Sequence, residues 1–157
     1  MRWRSYRVHR VRKPLRIDFF FNVEHRLHYA CRVVRKARGA GKSVLAYARD
    51  ADRLARFDTA LWTFSALDFL PHVYADSPLA AQTPIVLSLQ PQPLARDVLL
   101  NLDDEPPPAF ESFFAGFERV IEVVSRDDAD RQAARGRVKR YRDAGLAPTM
   151  HDMAADQ

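Results

Sequence analysis

SVLAYARDADRLARFDTALWTFSALDFLPH, residues 43 to 72, joins a buried strand to a capped helix, and the rest of the chain can be placed around it. Val44, Leu45, Ala46, Tyr47 and Ala48 form a nearly unbroken apolar run, the pattern of a strand covered on both faces. Asp50 stands where a helix N-cap is needed, because its carboxylate can accept the free N–H groups of a first turn. Leu54, Phe57, Leu61 and Phe64 then recur at helical spacing. A central strand therefore leads straight into a helix lying on the sheet.

Working outward, residues 16–23 read as a first strand, with Ile17, Phe19 and Phe21 on one face and Phe20 on the other. Residues 24–38 read as a helix with Leu27, Cys31 and Val34 on its inner face, stopped at Gly39-Ala40-Gly41. Strand, helix, strand and helix in succession imply an α/β layer with a parallel crossover. Downstream, residues 73–83 read as a surface loop, and residues 85–90 and 97–102 as strands on either side of Pro91-Gln92-Pro93. Residues 103–108, DDEPPP, read as a stiff exposed connector. A short helix over 109–117, a last strand over 119–124 and a closing helix over 127–144 complete the order, with Gly145 as the stop. The predicted fold is one α/β domain with a mainly parallel central sheet and helices on both faces, a topology like that of nucleotide-binding folds. Its divisions are a basic, disordered extension over 1–15, the domain over 16–145 and a frayed tail over 146–157.

A chain of 157 residues with 47% hydrophobic content can bury one core. No window approaches the roughly 18 apolar residues of a membrane span, and the N-terminus lacks the apolar centre of a secretory signal, so a cytoplasmic protein is expected. A single cysteine, Cys31, cannot form an internal disulfide and fits a reducing compartment. The net charge of +5 is concentrated at one end. Six of the 25 Lys and Arg residues precede residue 16 with no acid among them, leaving 19 cations against 20 acids in the body. Cations interleaved with Trp3 and Tyr6 suit single-stranded nucleic acid, whereas such a tail is also the ordinary composition of a disordered terminus.

Gly39-Ala40-Gly41-Lys42-Ser43 imitates the end of a phosphate-binding loop but fails the pattern twice. Lys36 stands where the first glycine is required, and the order is helix then strand, which turns a carbonyl end towards the loop. No nucleotide or other cofactor is expected. His25 and His28 share a helix face without further ligands, so no metal site is expected. No serine or cysteine stands in a nucleophile setting, and no catalytic constellation emerges. In the closing helix, Ala134, Val138 and Tyr141 form an apolar stripe, and Arg131, Arg135, Lys139 and Arg142 fall within an arc of about 80° beside it. Composition alone reads that arc as a solvated basic face.

Five segments in register add a resemblance: Gly41 to Leu45, Asp58 to Trp62, Phe69 to His72, Asp97 to Leu102 and Ala134 to Gly145. Over about residues 16–145 the chain resembles the chi subunit of the bacterial DNA polymerase III holoenzyme, an accessory protein of the clamp loader. The resemblance implies a non-catalytic adaptor that binds the psi subunit and the acidic C-terminal tail of the single-stranded-DNA-binding protein, and through them the clamp-loader complex and DNA, with no membrane partner. It implies a tail site with Arg131, Arg135 and Lys139 as cations and Trp62, Phe69, Val124 and Val138 as pocket walls. Close relatives can carry tyrosine where this chain has Val138, which removes aromatic surface and a hydroxyl from that site. The competing readings are a direct single-stranded nucleic-acid binder using the basic N-terminal arm, and an orphan α/β enzyme.

Overall fold

The computed structural model describes residues 14–64, 69–91, 94 and 96–154. The basic segment over 1–13 therefore lies outside the described residues, as do Gln92 and Pro93. Among the described residues, seven strands form one sheet: β1 (Arg16–Val23), β2 (Val44–Tyr47), β3 (His72–Tyr74), β4 (Ile85–Ser88), β5 (Val98–Asn101), β6 (Arg119–Ser125) and β7 (Thr149–Asp152). Their spatial order is β3-β4-β2-β5-β6-β1-β7, and every pairing is parallel. The helices α1 (Arg26–Gly39), α2 (Ala51–Thr63), α3 (Phe110–Phe114) and α4 (Asp128–Asp143) cover the two faces.

The quoted stretch behaves as its pattern requires. Val44 through Ala48 are fully buried because β2 sits between β4 and β5 with helices above and below. Val44, Ala46 and Ala48 pack in one core with Cys31 and Val34 of α1 and Leu54, Phe57 and Leu61 of α2. Leu45 and Tyr47 join the opposite core with Phe110 and Phe114 of α3 and Ala134, Val138 and Tyr141 of α4. Burial also pushes the Cys31 thiol up to about 12, which keeps it protonated at neutral pH and withholds the thiolate that nucleophilic chemistry needs. The glycine stop after α1 holds as well: Gly41 takes φ 76°, and the Lys42 N–H reaches the Ala37 carbonyl at 2.9 Å.

Asp50 caps α2, its Oδ1 accepting from the Asp52 and Arg53 amides at 3.0 and 3.1 Å. Asp50→Ala should therefore lower the unfolding free energy by about 1 kcal/mol, with Asp50→Ser retaining most of it. Urea denaturation reads this directly, and identical midpoints for wild type and Asp50→Ala would show that the cap contributes nothing.

Three expectations are corrected. The loop predicted over 73–83 overlaps the edge strand β3, whose three residues are too few to show a period. The frayed tail predicted over 146–157 contains β7, which pairs with β1 from Asp18↔Thr149 to Phe21↔Asp152. Thr, Met, His and Asp carry no apolar alternation, and polar contacts hold the strand instead. His151 Nε2 lies 2.8 Å from Asp18 Oδ1, Asn22 Nδ2 donates to Asp152 Oδ1 at 2.8 Å, and the His151 ring stacks on Phe20 at 4.7 Å. The exposed connector predicted over 103–108 is in fact bound into the fold, with Asp103 only 5% exposed.

Candidate functional site

Alternation along β1 turns Phe21 towards the face covered by α4, and alternation along β6 does the same for Val124. With Ala134 and Val138 of α4 and Met150 of β7, they floor a groove of about 680 Å³ between the helix and the sheet edge. Arg131, Arg135, Lys139 and Arg142 line it from successive turns of α4, so cations border an apolar floor. Lys139 is engaged with Asp143 at 3.0 Å, and Arg131 donates to the Arg126 carbonyl at 3.3 Å. Among the described residues, no carboxylate pairs with Arg135 or Arg142. The arrangement can receive an anion at its rim and an apolar side chain at its floor.

Five of the seven residues assigned to this site from the sequence, Arg131, Arg135, Lys139, Val124 and Val138, thus line one groove. Trp62 and Phe69 do not. They lie beside β3, at the edge of the sheet away from β1 and β7, where Trp62 is 55% and Phe69 74% exposed. Their ring centroids are 6.1 Å apart, and the Trp62 ring lies 4.3 Å from that of His72. The His72 ring nitrogens sit 2.6 Å from the Leu70 carbonyl and 2.7 Å from Asp58 Oδ1, which fixes the platform under Trp62. Four groove residues were missed, Phe21, Asn22, Asp143 and Met150. Phe21 was visible from the alternation of β1, whereas Met150 carried no signal once its segment was read as a tail.

A second constellation lies at the carboxyl ends of the strands, where open α/β sheets commonly hold ligands. Here the segment after β5 occupies that position. Arg53 forks onto Asp104, with Nη1 to Oδ1 at 3.0 Å and Nη2 to Oδ2 at 3.2 Å, and Arg26 Nη1 reaches the same Oδ1 at 3.0 Å. Arg49 Nε donates to Asp103 Oδ2 at 2.7 Å. The carbonyls of residues 102, 103 and 104 accept from Arg53, Arg26 and Arg137. Burial alone would raise the Asp104 carboxyl, but the hydrogen bonds and charges of Arg53 and Arg26 outweigh it and hold the group below its ordinary range.

Beneath this lies a fully buried ion pair, Arg137 Nε to Glu122 Oε1 at 2.9 Å. Glu122 Oε2 also accepts from Asn101 Nδ2 at 2.9 Å and from the Tyr141 hydroxyl at 2.6 Å. Burial first, and then the Glu122 charge, push the Tyr141 hydroxyl far up, so it remains a donor.

Fold and groove together define an all-parallel α/β domain in which the segment after β5 lies against arginines at the carboxyl ends of the strands and the groove beside α4 is cationic with an apolar floor. Residues 15–149 match the family model of the DNA polymerase III chi subunit, HolC. The chain is 36% identical over 135 residues to the DNA polymerase III subunit chi of Pseudomonas aeruginosa, covering 83% of this chain and 91% of that one. It is 32% identical over 119 residues to the subunit chi of Escherichia coli, covering 74% and 78%. The subunit chi of Haemophilus influenzae gives 32% over 115 residues, covering 72% and 77%. This chain belongs to the DNA polymerase III chi subunit family.

Proposed function

We propose that this chain is a non-catalytic adaptor of the DNA polymerase III clamp loader that acts in DNA replication by holding the psi subunit and the acidic C-terminal tail of the single-stranded-DNA-binding protein. The observation that carries the tail site is the α4 groove. An acidic peptide ending in an apolar residue and a free carboxylate needs an apolar seat with cations around it, and Val124, Val138 and Phe21 lie under Arg131, Arg135 and Lys139. An adaptor must also hold its second partner without displacing the first. The exposed Trp62 and Phe69, at the other edge of the sheet, form an aromatic surface of the kind that anchors protein interfaces, and we assign psi to it.

The test is calorimetric titration of the full chain with a synthetic acidic peptide of this kind, with a free and with an amidated C-terminus. The free form should bind and amidation should weaken it at least about tenfold, since the charge-assisted contact to an arginine is lost. Equal binding of both forms would remove the terminal carboxylate from the reading, and no binding of either would remove the tail.

A further inference from the structure

On the opposite face of the sheet from α4, α1 and the amino ends of β1 and β6 enclose a second cleft, of about 770 Å³. Six cations line it: Arg16 from β1, Arg32, Arg35 and Lys36 from α1, Lys42 from the following turn and Arg119 from β6. The helix dipole accounts for cations in the last turn of α1, but not for Arg32 in its middle, nor for Arg16, Lys42 and Arg119 converging from three other segments. Two carboxylates answer them. Asp18 takes Arg119 at 2.7 Å and Arg16 at 3.4 Å, and Glu118 takes Lys42 at 2.8 Å. Among the described residues, no carboxylate pairs with Arg32 or Lys36, so the cleft carries uncompensated positive charge.

Its floor is not polar. Phe20, Tyr29, Val33 and Met153 lie half-buried along it. The Arg32 guanidinium stands 5.2 Å over the Tyr29 ring and that of Arg119 5.9 Å over Phe20. Flat cationic and aromatic faces beside free positive charge match a ligand with anionic groups at intervals and planar apolar rings between them. The chain also enters the fold at this cleft. Arg16, the first residue of β1, lines it.

We infer that this cleft binds single-stranded DNA, its cations taking the phosphates and the Arg32 guanidinium stacked on Tyr29 taking the bases. An acidic peptide would satisfy the charges but leave the stacked faces unused, and a polymerase-subunit family works beside DNA. The site is separate from the α4 groove and does not depend on what that groove binds.

The experiment is fluorescence anisotropy of labelled dT20 with the full chain. Binding should weaken about 20- to 50-fold between 50 and 200 mM salt, as expected for release of counterions at three or four phosphates of a single strand. Arg32→Glu/Lys36→Glu should weaken it at least about tenfold at low salt while the acidic peptide titration is unchanged. Arg56→Glu/Arg140→Glu, an equal change of charge elsewhere on the surface, should cost far less. Absence of dT20 binding by the wild type, an unaltered affinity in Arg32→Glu/Lys36→Glu, or equal losses in the two double variants would each overturn the proposal. So would transfer of the defect from dT20 to the peptide.

Discussion

Glu122→Ala should lower the unfolding free energy by about 3–5 kcal/mol, because it leaves the Arg137 guanidinium charged, fully buried and without its carboxylate. It also strips Asn101 and the Tyr141 hydroxyl of the oxygen they share. Against a typical domain stability of about 5–15 kcal/mol, this is enough to threaten folding at growth temperature. The double substitution Glu122→Leu/Arg137→Met should recover only the part of the loss that comes from the unpaired arginine, since Asn101 and the Tyr141 hydroxyl still lack their acceptor. Urea denaturation of the three variants separates the cases. A loss below about 1 kcal/mol in Glu122→Ala would mean that water reaches the pair, and the tightly closed packing of α4 on β6 would have to be given up.

Arg135→Ala should weaken the acidic peptide by about 2–3 kcal/mol, roughly 30- to 150-fold, if that arginine takes the terminal carboxylate once the peptide has excluded water. Arg135 is suited to it by position and by freedom. It stands between Arg131 and Lys139 on the groove rim, and among the described residues it has no acid to give up. Its planar fork can make two parallel hydrogen bonds, which Arg135→Lys would not restore. Arg140→Ala is the control, because Arg140 leaves α4 elsewhere and stands 5.8 Å over Phe110. Trp62→Ala is a second control and should leave peptide affinity unchanged, since Trp62 lies beside β3. Equal losses below about 1 kcal/mol in Arg135→Ala and Arg140→Ala would reduce the helix to a solvated basic face. A loss in Trp62→Ala as large as in Arg135→Ala would move the site.

Why some of this could be read in the amino acids and some could not follows from periodicity. β2 and α2 announce themselves because burial on both faces leaves an unbroken apolar run, and one-sided burial leaves a helical one. The arc of Arg131, Arg135 and Lys139 was legible because a single helix carries it, whereas Val124 and Val138 entered as pocket walls through the family resemblance. Trp62 and Phe69 were assigned to the α4 pocket but stand at the other edge, because which edge of a sheet a strand occupies is a long-range property. β7 and the bound segment after β5 are held by polar side-chain contacts, which leave no period. One signal was present and passed over: positions 134, 137, 138 and 141 repeat as a core stripe, and the second of them is arginine. In β6 Glu122 interrupts the inward row of Val120 and Val124 in the same way. Opposite charges at two core positions are the mark of a buried pair.

Asp104, gripped by Arg26 and Arg53 at the strand ends, has a consequence for competition. It is an anion that cannot diffuse away. A carboxylate tethered by a short loop sits at a local concentration in the millimolar range or above, so a phosphate from solution meets a rival already installed and always replenished. The same grip joins the ends of β1, β2 and β6 through one loop and keeps three neighbouring guanidinium groups, Arg26, Arg53 and Arg137, from repelling one another unopposed. Where open α/β sheets commonly receive an anionic ligand at this position, here an anion of the polypeptide itself stands against the arginines.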